Sequence, residues 1–379
     1  MNNYVISDIH GNVERFSKLM SVLNEKHPNK DYMLYVLGDL FDRGEEGEEV
    51  LSTIFDNAEN VFVLKGNHEA LFMDFMEDPI ENYVGWQMNY AYPTIISFGL
   101  KHLSILLEKY KNVTSQTLVN EYYKKLSGVE CRLQNNFASA KGKSYPVLAY
   151  VNQMKMTVSS RDMRNVSVDL KYAITSALKK KSADFVRMFE SFVYLNLVED
   201  FCNLYEYFKT LSAYALVGDE YLLVHSGCVA KSTNPRLRDN CSAYYNPCYT
   251  IDDLPYQNEY PMLWARRYDL VTEKNVPPQE RFDGRIIVYG HTTTNSFNKD
   301  KSSQAVFAND YFGKLASVGL DGGNYNKIQG ALNCLCLEDL SQIVVKGSAI
   351  TKNLETTFVP YDAVVPYNKE NDTLCPFSK

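Results

Sequence analysis

The chain has 379 residues, of which 45% are hydrophobic and 22% charged, with a formal net charge of −7. That balance is globular and supports a sizeable core in one large domain or two. It contains no internal repeat, low-complexity tract or Walker loop, and no apolar stretch long enough for a membrane span. The opening segment MNNYVI runs into an apolar strand-like run without a charged leader, so the expectation is a cytoplasmic protein with reduced thiols.

In chain order, residues 4–6, 32–37 and 60–64 read as buried strands. Between them Val13, Phe16, Leu19, Met20 and Leu23, then Val50, Leu51, Ile54 and Phe55, recur at helical spacing. The order is β-α-β-α-β, and Asp8, Asp39 and Asn67 stand just past successive strands. Residues 98–198 carry mainly helical patterns, as in LKHLSILLEKY and ADFVRMFESFVYLNLVEDF. Positions 101–200 hold 16 Lys and Arg against 9 Asp and Glu, while the whole chain is acidic. A basic helical cap would attract an anionic substrate, and a solvated lysine surface explains the same count. Farther on, residues 213–217 and 221–224 flank Gly218-Asp219 as a hairpin that delivers His225, and residues 286–289 deliver His291. Strands near 315–320, 331–337 and 342–346 are expected to complete a second sheet. Residues 360–379 are polar and punctuated by proline, a tail.

Six side chains placed just beyond these strands share one chemistry: Asp8, His10, Asp39, Asn67, His225 and His291. Carboxylate, amide and neutral imidazole are the donors that hard and borderline divalent cations accept, and strand tips are where α/β folds gather such groups. A single histidine beside a strand reads most simply as core packing. Yet the chain has only 6 His, and His10, His68, His225 and His291 all lie in these segments. The set therefore reads as a dinuclear site. Asp8, His10 and Asp39 would hold one ion and Asn67, His225 and His291 the other, with Asp39 shared and the ions about 3.5–4 Å apart. Water between two dications loses its proton near neutral pH, which supplies a nucleophile.

The blocks that carry these residues are SDIHGN (7–12), GDLFDRG (38–44), GNHE (66–69), HSG (225–227) and GHT (290–292). In this order they resemble the calcineurin-like metallophosphoesterases, and within them the phosphoprotein phosphatase branch, which includes serine/threonine protein phosphatases and symmetric dinucleoside tetraphosphatases. The resemblance covers residues 1–95 and 205–345. It implies an α/β fold, a four-layer β-sandwich of two mixed sheets flanked by helices. Residues 1–97 and 199–359 would form the catalytic domain, 98–198 a mainly helical insertion acting as a cap, and 360–379 the tail. It also implies roles for further residues. His68 resembles a general acid and Asp42 the carboxylate that orients it. Arg43 resembles a phosphoryl clamp, and a second clamp is expected from the W-x-R stretch at Trp264, which points to Arg266 over Arg267. Asp321, in the LDGG turn at 320–323, is read as part of a tight turn and not as catalytic.

These residues and their resemblance point to a metal-dependent phosphoesterase using two divalent ions, with Mn, Fe or Zn all suited to the donors. The first substrate reading is a phosphorylated serine or threonine in a protein. The alternative is a dinucleoside tetraphosphate or another nucleotide or nucleic-acid phosphoester, with Tyr122, Tyr123, Tyr145, Tyr150, Tyr172 and Tyr194 available to stack on bases. A non-catalytic binding module would be marked by degraded ligand positions, and all six are present. No Cys lies in a CxxxxxR phosphate loop, which disfavours a cysteine-dependent phosphatase. Cys334 and Cys336 share one strand face as core residues, and Cys228, Cys241 and Cys248 match no zinc spacing.

Overall fold

The computed structural model describes residues 1–137, 144–156, 169–227, 250–256, 259–265, 277–298, 300–310, 312–348, 353–364 and 366–367. Its first third forms β1 (Asn2–Ile6), α1 (Val13–Lys26), β2 (Tyr32–Val36), α2 (Gly47–Asp56) and β3 (Val61–Val63). The three strands are parallel neighbours, as βαβ crossovers require. α1 forms because Asn12 caps it, its side chain accepting from the Arg15 N–H, and because Phe16, Leu19, Met20 and Leu23 bury one face.

A helical segment comes next: α3 (Asn67–Glu77), α4 (Pro79–Met88), α5 (Tyr92–Tyr110), α6 (Ser115–Phe137), α7 (Val147–Met154), α8 (Leu170–Ala177) and α9 (Ala183–Phe208). Pro79 starts α4 where its missing N–H costs nothing, and Asp78 caps that helix through the Glu81 N–H. α9 packs against α3, α5, α6, α7 and α8. The expected domain limits at 97/98 and 198/199 fall inside α5 and α9, so neither is a linker. Phe75, Trp86, Phe98 and Phe201 share one apolar cluster with Tyr4, Ile6 and Leu34, so the helices and the outer face of the first sheet have a common core.

The remaining strands are β4 (Tyr214–Val217), β5 (Tyr221–Val224), β6 (Ile286–Tyr289), β7 (Val306–Asn309), β8 (Leu315–Gly319), β9 (Ala331–Cys336), β10 (Gln342–Ser348) and β11 (Asn353–Val359), with α10 (Tyr260–Trp264) between β5 and β6. Two mixed sheets result, ordered β11-β10-β9-β1-β2-β3 and β4-β5-β6-β8-β7. This is the expected sandwich with one correction. The sequence places β9 and β10 in the second sheet, but β9 pairs antiparallel with β1 (Tyr4 with Cys336), and β10 follows it into the first. Alternation along the strands explains the layers: Val5, Leu37, Leu223, Val288, Val318 and Leu335 meet between the sheets, while Leu222, Val224, Ile287 and Tyr289 face outward onto Leu254 and Met262. Cys334 and Cys336 are buried free thiols in the outer cluster of the first sheet. Cys228, Cys241 and Cys248 lie outside the described residues. In the segment read as a tail, the Tyr367 N–H donates to Phe307 O at 2.5 Å, so part of it docks beside β7. No helix among the described residues is long and apolar enough to cross a membrane.

One buried cation ties the sheet ends together. Arg15 is fully buried and among the described residues donates only to oxygens that are not carboxylates: Gly347 O (2.8 Å), Asn324 O (3.0 Å), Asn324 Oδ1 (3.2 Å), Asn326 O (3.2 Å) and Lys327 O (3.1 Å). Burial lowers its pKa to about 10. The Asn12 amide also donates to Asn324 O and the Asn324 amide to Ile9 O, which fixes the loop after β8 to the loop after β1. Arg15→Met is expected to cost about 3–5 kcal/mol in urea unfolding, because it strands several buried carbonyls at once. A loss under about 1 kcal/mol would mean that water satisfies them instead.

Candidate metal centre

The carboxyl ends of β1, β2, β5, β6 and β8 converge, and each is followed within a few residues by a polar side chain of the centre: Asp8, Asp39, His225, His291 and Asp321. Asn67 and His68 begin α3 just beyond β3. All of these side chains are buried, with His10 and Asp42. The turns that aim them are tight. Asp8, His10, Asp39, Asp42, Arg43 and His291 all have left-handed backbone, with φ between 48° and 67°. Non-glycine residues in that region are uncommon and strained, and strain of this kind clusters where a site over-determines it. Glycine is required beside them for space: a methyl group at Gly66 would overlap Asp39, and one at Gly290 would overlap Ser7 and Asp8.

Asp39 lies at the middle. Its Oδ2 is 3.4 Å from His10 Nε2 and 3.8 Å from His68 Nε2, and its Oδ1 is 3.5 Å from His225 Nε2 while accepting the His68 N–H at 3.0 Å. Among the described residues two groups able to hold an ion share it: His10, Asp39 and His68, and Asp39, His225 and His291. Asp8 joins the first through its Oδ1, 3.9 Å from His10 Nε2, and its Oδ2 accepts from the His291 N–H and the Ser7 hydroxyl. Asn67 joins the second, with its Oδ1 2.8 Å from His225 Nε2, which is itself 3.1 Å from His291 Nδ1.

Backbone carbonyls set the tautomers. His10 Nδ1 donates to Phe41 O at 3.0 Å and His225 Nδ1 to Leu37 O at 2.7 Å, which leaves each Nε2 with its lone pair turned inward. Glu69, four residues after Lys65, holds the loop that carries Asp39: its carboxylate accepts from the N–H groups of Asp39 (2.8 Å), Leu40 (2.9 Å) and Gly66 (2.8 Å). Burial, then the neighbouring Asp39, raises its pKa to about 7.

Beside this cluster, His68 Nδ1 donates to Asp42 Oδ2 at 2.8 Å, and His68 Nε2 accepts from Arg43 Nη2 at 3.0 Å. Asp42 Oδ2 also accepts from Trp86 Nε1 at 2.8 Å, and Asp42 Oδ1 from the Thr94 hydroxyl at 2.5 Å. The Arg43 guanidinium lies 5.3 Å from the ring centre of Tyr325, whose ring is 6.0 Å from His10. Asp321 Oδ1 accepts the Gly323 N–H at 2.8 Å, which is the expected turn, but the residue is buried and its charge bears on Asp8. Trp86, Thr94 and the position of Asp321 are not legible as site features in the sequence. Glu69 has a signal in GNHE, whereas Trp86 and Thr94 have none. Arg266 and Arg267 lie outside the described residues. Trp264 is described and stands edge-on to His291 with ring centres 6.0 Å apart.

A family model described as Calcineurin-like phosphoesterase matches residues 1–150, the stretch that holds Asp8, His10, Asp39, Asn67 and His68. Over residues 1–150 the chain is similar to that family. The symmetrical bis(5'-nucleosyl)-tetraphosphatase of Wigglesworthia glossinidia brevipalpis is 35% identical over 69 residues, 18% of this chain and 25% of that protein. The enzyme of the same description from Buchnera aphidicola subsp. Acyrthosiphon pisum (strain Tuc7) is 37% identical over 89 residues, 22% of this chain and 31% of that protein. The match thus spans less than a third of either relative's length. A solved serine/threonine phosphatase from Saccharomyces cerevisiae overlaps 97% of this chain and 82% of its own at 13% identity, with a TM-score of 0.35 that bears on neither fold nor function here.

The matched family implies divalent metal ions, and the donors of this chain fit them. Asp8 Oδ1 and His10 Nε2 are buried without a hydrogen-bond partner among the described residues, a costly state for a carboxylate and an imidazole nitrogen. The inward-facing His225 Nε2 and the amide oxygen of Asn67 lie 2.8 Å apart, a pair of lone-pair donors that one cation would hold together. Burial first, then Asp321 and Asp39, pushes the Asp8 carboxyl well above its usual range. Asp42 is raised chiefly by burial, and His10 and His68 are held well below the usual histidine value by burial and then by Arg43. Neutral imidazoles among buried carboxylates form a donor set that dications complete.

Proposed function

We propose that this chain is a metal-dependent phosphoesterase that hydrolyses phosphate monoesters, with phosphoserine and phosphothreonine in proteins as the substrate class. Two divalent cations held by Asp8, His10, Asp39, Asn67, His225 and His291 would supply Lewis acidity, which acidifies water and offsets phosphoryl charge. Manganese is the ion to try first, with iron and zinc equally compatible with the donors. Arg43 binds the phosphoryl oxygens, and Arg266 is its partner in that clamp. As the bond from phosphorus to the leaving oxygen breaks, His68 in its imidazolium form gives that oxygen its Nε2 proton, and the water that attacks phosphorus in line loses one to solvent. Asp42 orients the imidazole and favours its charged form.

The observation that carries this reading is the buried His68–Asp42 pair at 2.8 Å beside the Asp39 cluster. Proton donation matters most when the leaving group is an alkoxide, as in phosphoserine, and least when a nucleoside diphosphate departs as a stable anion. This favours esters over anhydrides. The second reading, hydrolysis of dinucleoside tetraphosphates, is favoured by the description of both curated relatives. Turnover of a phosphopeptide panel and of a dinucleoside tetraphosphate, each with added manganese, tests the choice. Phosphopeptide cleavage at least about tenfold faster is expected. Cleavage of the nucleotide alone would sink the protein-phosphatase reading.

A further inference from the structure

We infer that Trp86 and Thr94 are positioning residues of the site, acting on His68 through Asp42. This rests on the proposed role of His68 as proton donor. The Asp42 carboxylate is fully buried and meets three donors: Trp86 Nε1 and His68 Nδ1 at Oδ2, both at 2.8 Å, and the Thr94 hydroxyl at Oδ1, at 2.5 Å. Thr94 Oγ1 also accepts the Asp42 N–H at 3.0 Å, so one hydroxyl holds this residue at both its backbone and its side chain. A carboxylate pinned at each oxygen cannot turn about its terminal bond. The imidazole opposite it is thereby held in one plane, with Nε2 aimed beside Asp39.

Both residues sit on helices to which the motifs assign no chemistry. Trp86 is fully buried on α4, and its indole is wedged among Phe72 (5.4 Å between ring centres), Phe75 (4.9 Å) and Phe201 (6.1 Å). Phe201 belongs to α9, so the packing of the helical segment fixes the ring whose N–H fixes Asp42. Thr94, in the first turn of α5, is also buried. Hydrogen bonds to a charged acceptor are the strong kind, and two of them aimed at one carboxylate do more than packing requires.

The test uses the full chain with manganese and four variants: Trp86→Phe, Thr94→Val, Thr94→Ser and His68→Asn. On an alkyl phosphate, kcat is expected to fall about 10–100-fold in Trp86→Phe and Thr94→Val with KM unchanged, and by no more than about threefold on nitrophenyl phosphate, whose leaving group needs no proton. Thr94→Ser, which keeps the hydroxyl, should stay within about threefold of the parent on both substrates. Equal losses on the two substrates, or no loss on the alkyl ester, would overturn the inference. If Trp86→Phe does not fold, the two Thr94 variants decide. A readout that needs neither metal nor turnover is the proton resonance of the His68 Nδ1–H, identified by its absence in His68→Asn, in metal-free protein. It should move upfield in Trp86→Phe and Thr94→Val as the bond to Asp42 loosens, and an unmoved resonance would overturn the inference. Should the parent cleave no phosphate ester at all, the functional reading fails while this resonance still decides what the two residues do.

Discussion

Asp39→Asn is expected to leave a folded chain that retains neither metal ion and hydrolyses phosphate esters about four orders of magnitude more slowly than the parent. The size follows from position. Its two carboxylate oxygens face different imidazoles, Oδ2 towards His10 and His68 and Oδ1 towards His225, so one substitution removes the shared charge from both groups. An amide of the same shape keeps the packing, since the site is buried on every side and tolerates little change of volume. It also removes one of several buried carboxylates whose charges bear on one another, so the metal-free variant should be no less stable than the metal-free parent. The parent should gain stability with added manganese, by about 4 kcal/mol at a thousand times the dissociation constant, and the variant should gain none. Elemental analysis and thermal melts with and without manganese check both halves. A variant that keeps two ions per chain would remove Asp39 from the bridging position.

His68→Asn should lower turnover of an alkyl phosphate by about two to four orders of magnitude with the metal content unchanged, and turnover of nitrophenyl phosphate much less. His68 Nε2 lies 3.8 Å from Asp39 Oδ2, close enough that the imidazole is also a candidate ligand of the first group. The two roles separate cleanly. A ligand lost would take an ion with it and damage every substrate alike, whereas a proton donor lost would spare the good leaving group. Uniform loss together with a fall in metal content would move His68 from proton donor to ligand.

β1, β2, β3, β5 and β6 are visible in the sequence because each is a short apolar run followed closely by a ligand residue and a glycine. Asp8 before Gly11, Asp39 after Gly38 and His291 after Gly290 repeat that arrangement. The structure draws together Asp8, His10, Asp39, Asn67, His225 and His291, with His68, Asp42 and Arg43 alongside. The membership of β9 and β10 is not legible, since a fully buried strand looks the same from either sheet and only the pairing of Tyr4 with Cys336 tells them apart. β11 escapes notice because an exposed edge strand, NLETTFV, has too few apolar residues to stand out. The expected domain limits fall within helices, and α9 keeps one continuous periodicity through residues 198 and 199.

Donor chemistry is local. Whether a segment ends in a carboxylate, an amide or an imidazole, and whether glycine allows the chain to turn there, can be read from a handful of neighbouring residues, so the donor types and the layered α/β frame are legible in the sequence. Orientation is not local. Thr94 lies 52 positions from Asp42 and Asn67 lies 158 from His225, and no periodicity spans such distances. Which oxygen faces which ring, which nitrogen keeps its lone pair, and which buried donors pin Asp42 were decided when the sheets and helices packed, because only close packing converts residues of the right kind into atoms at the right separation.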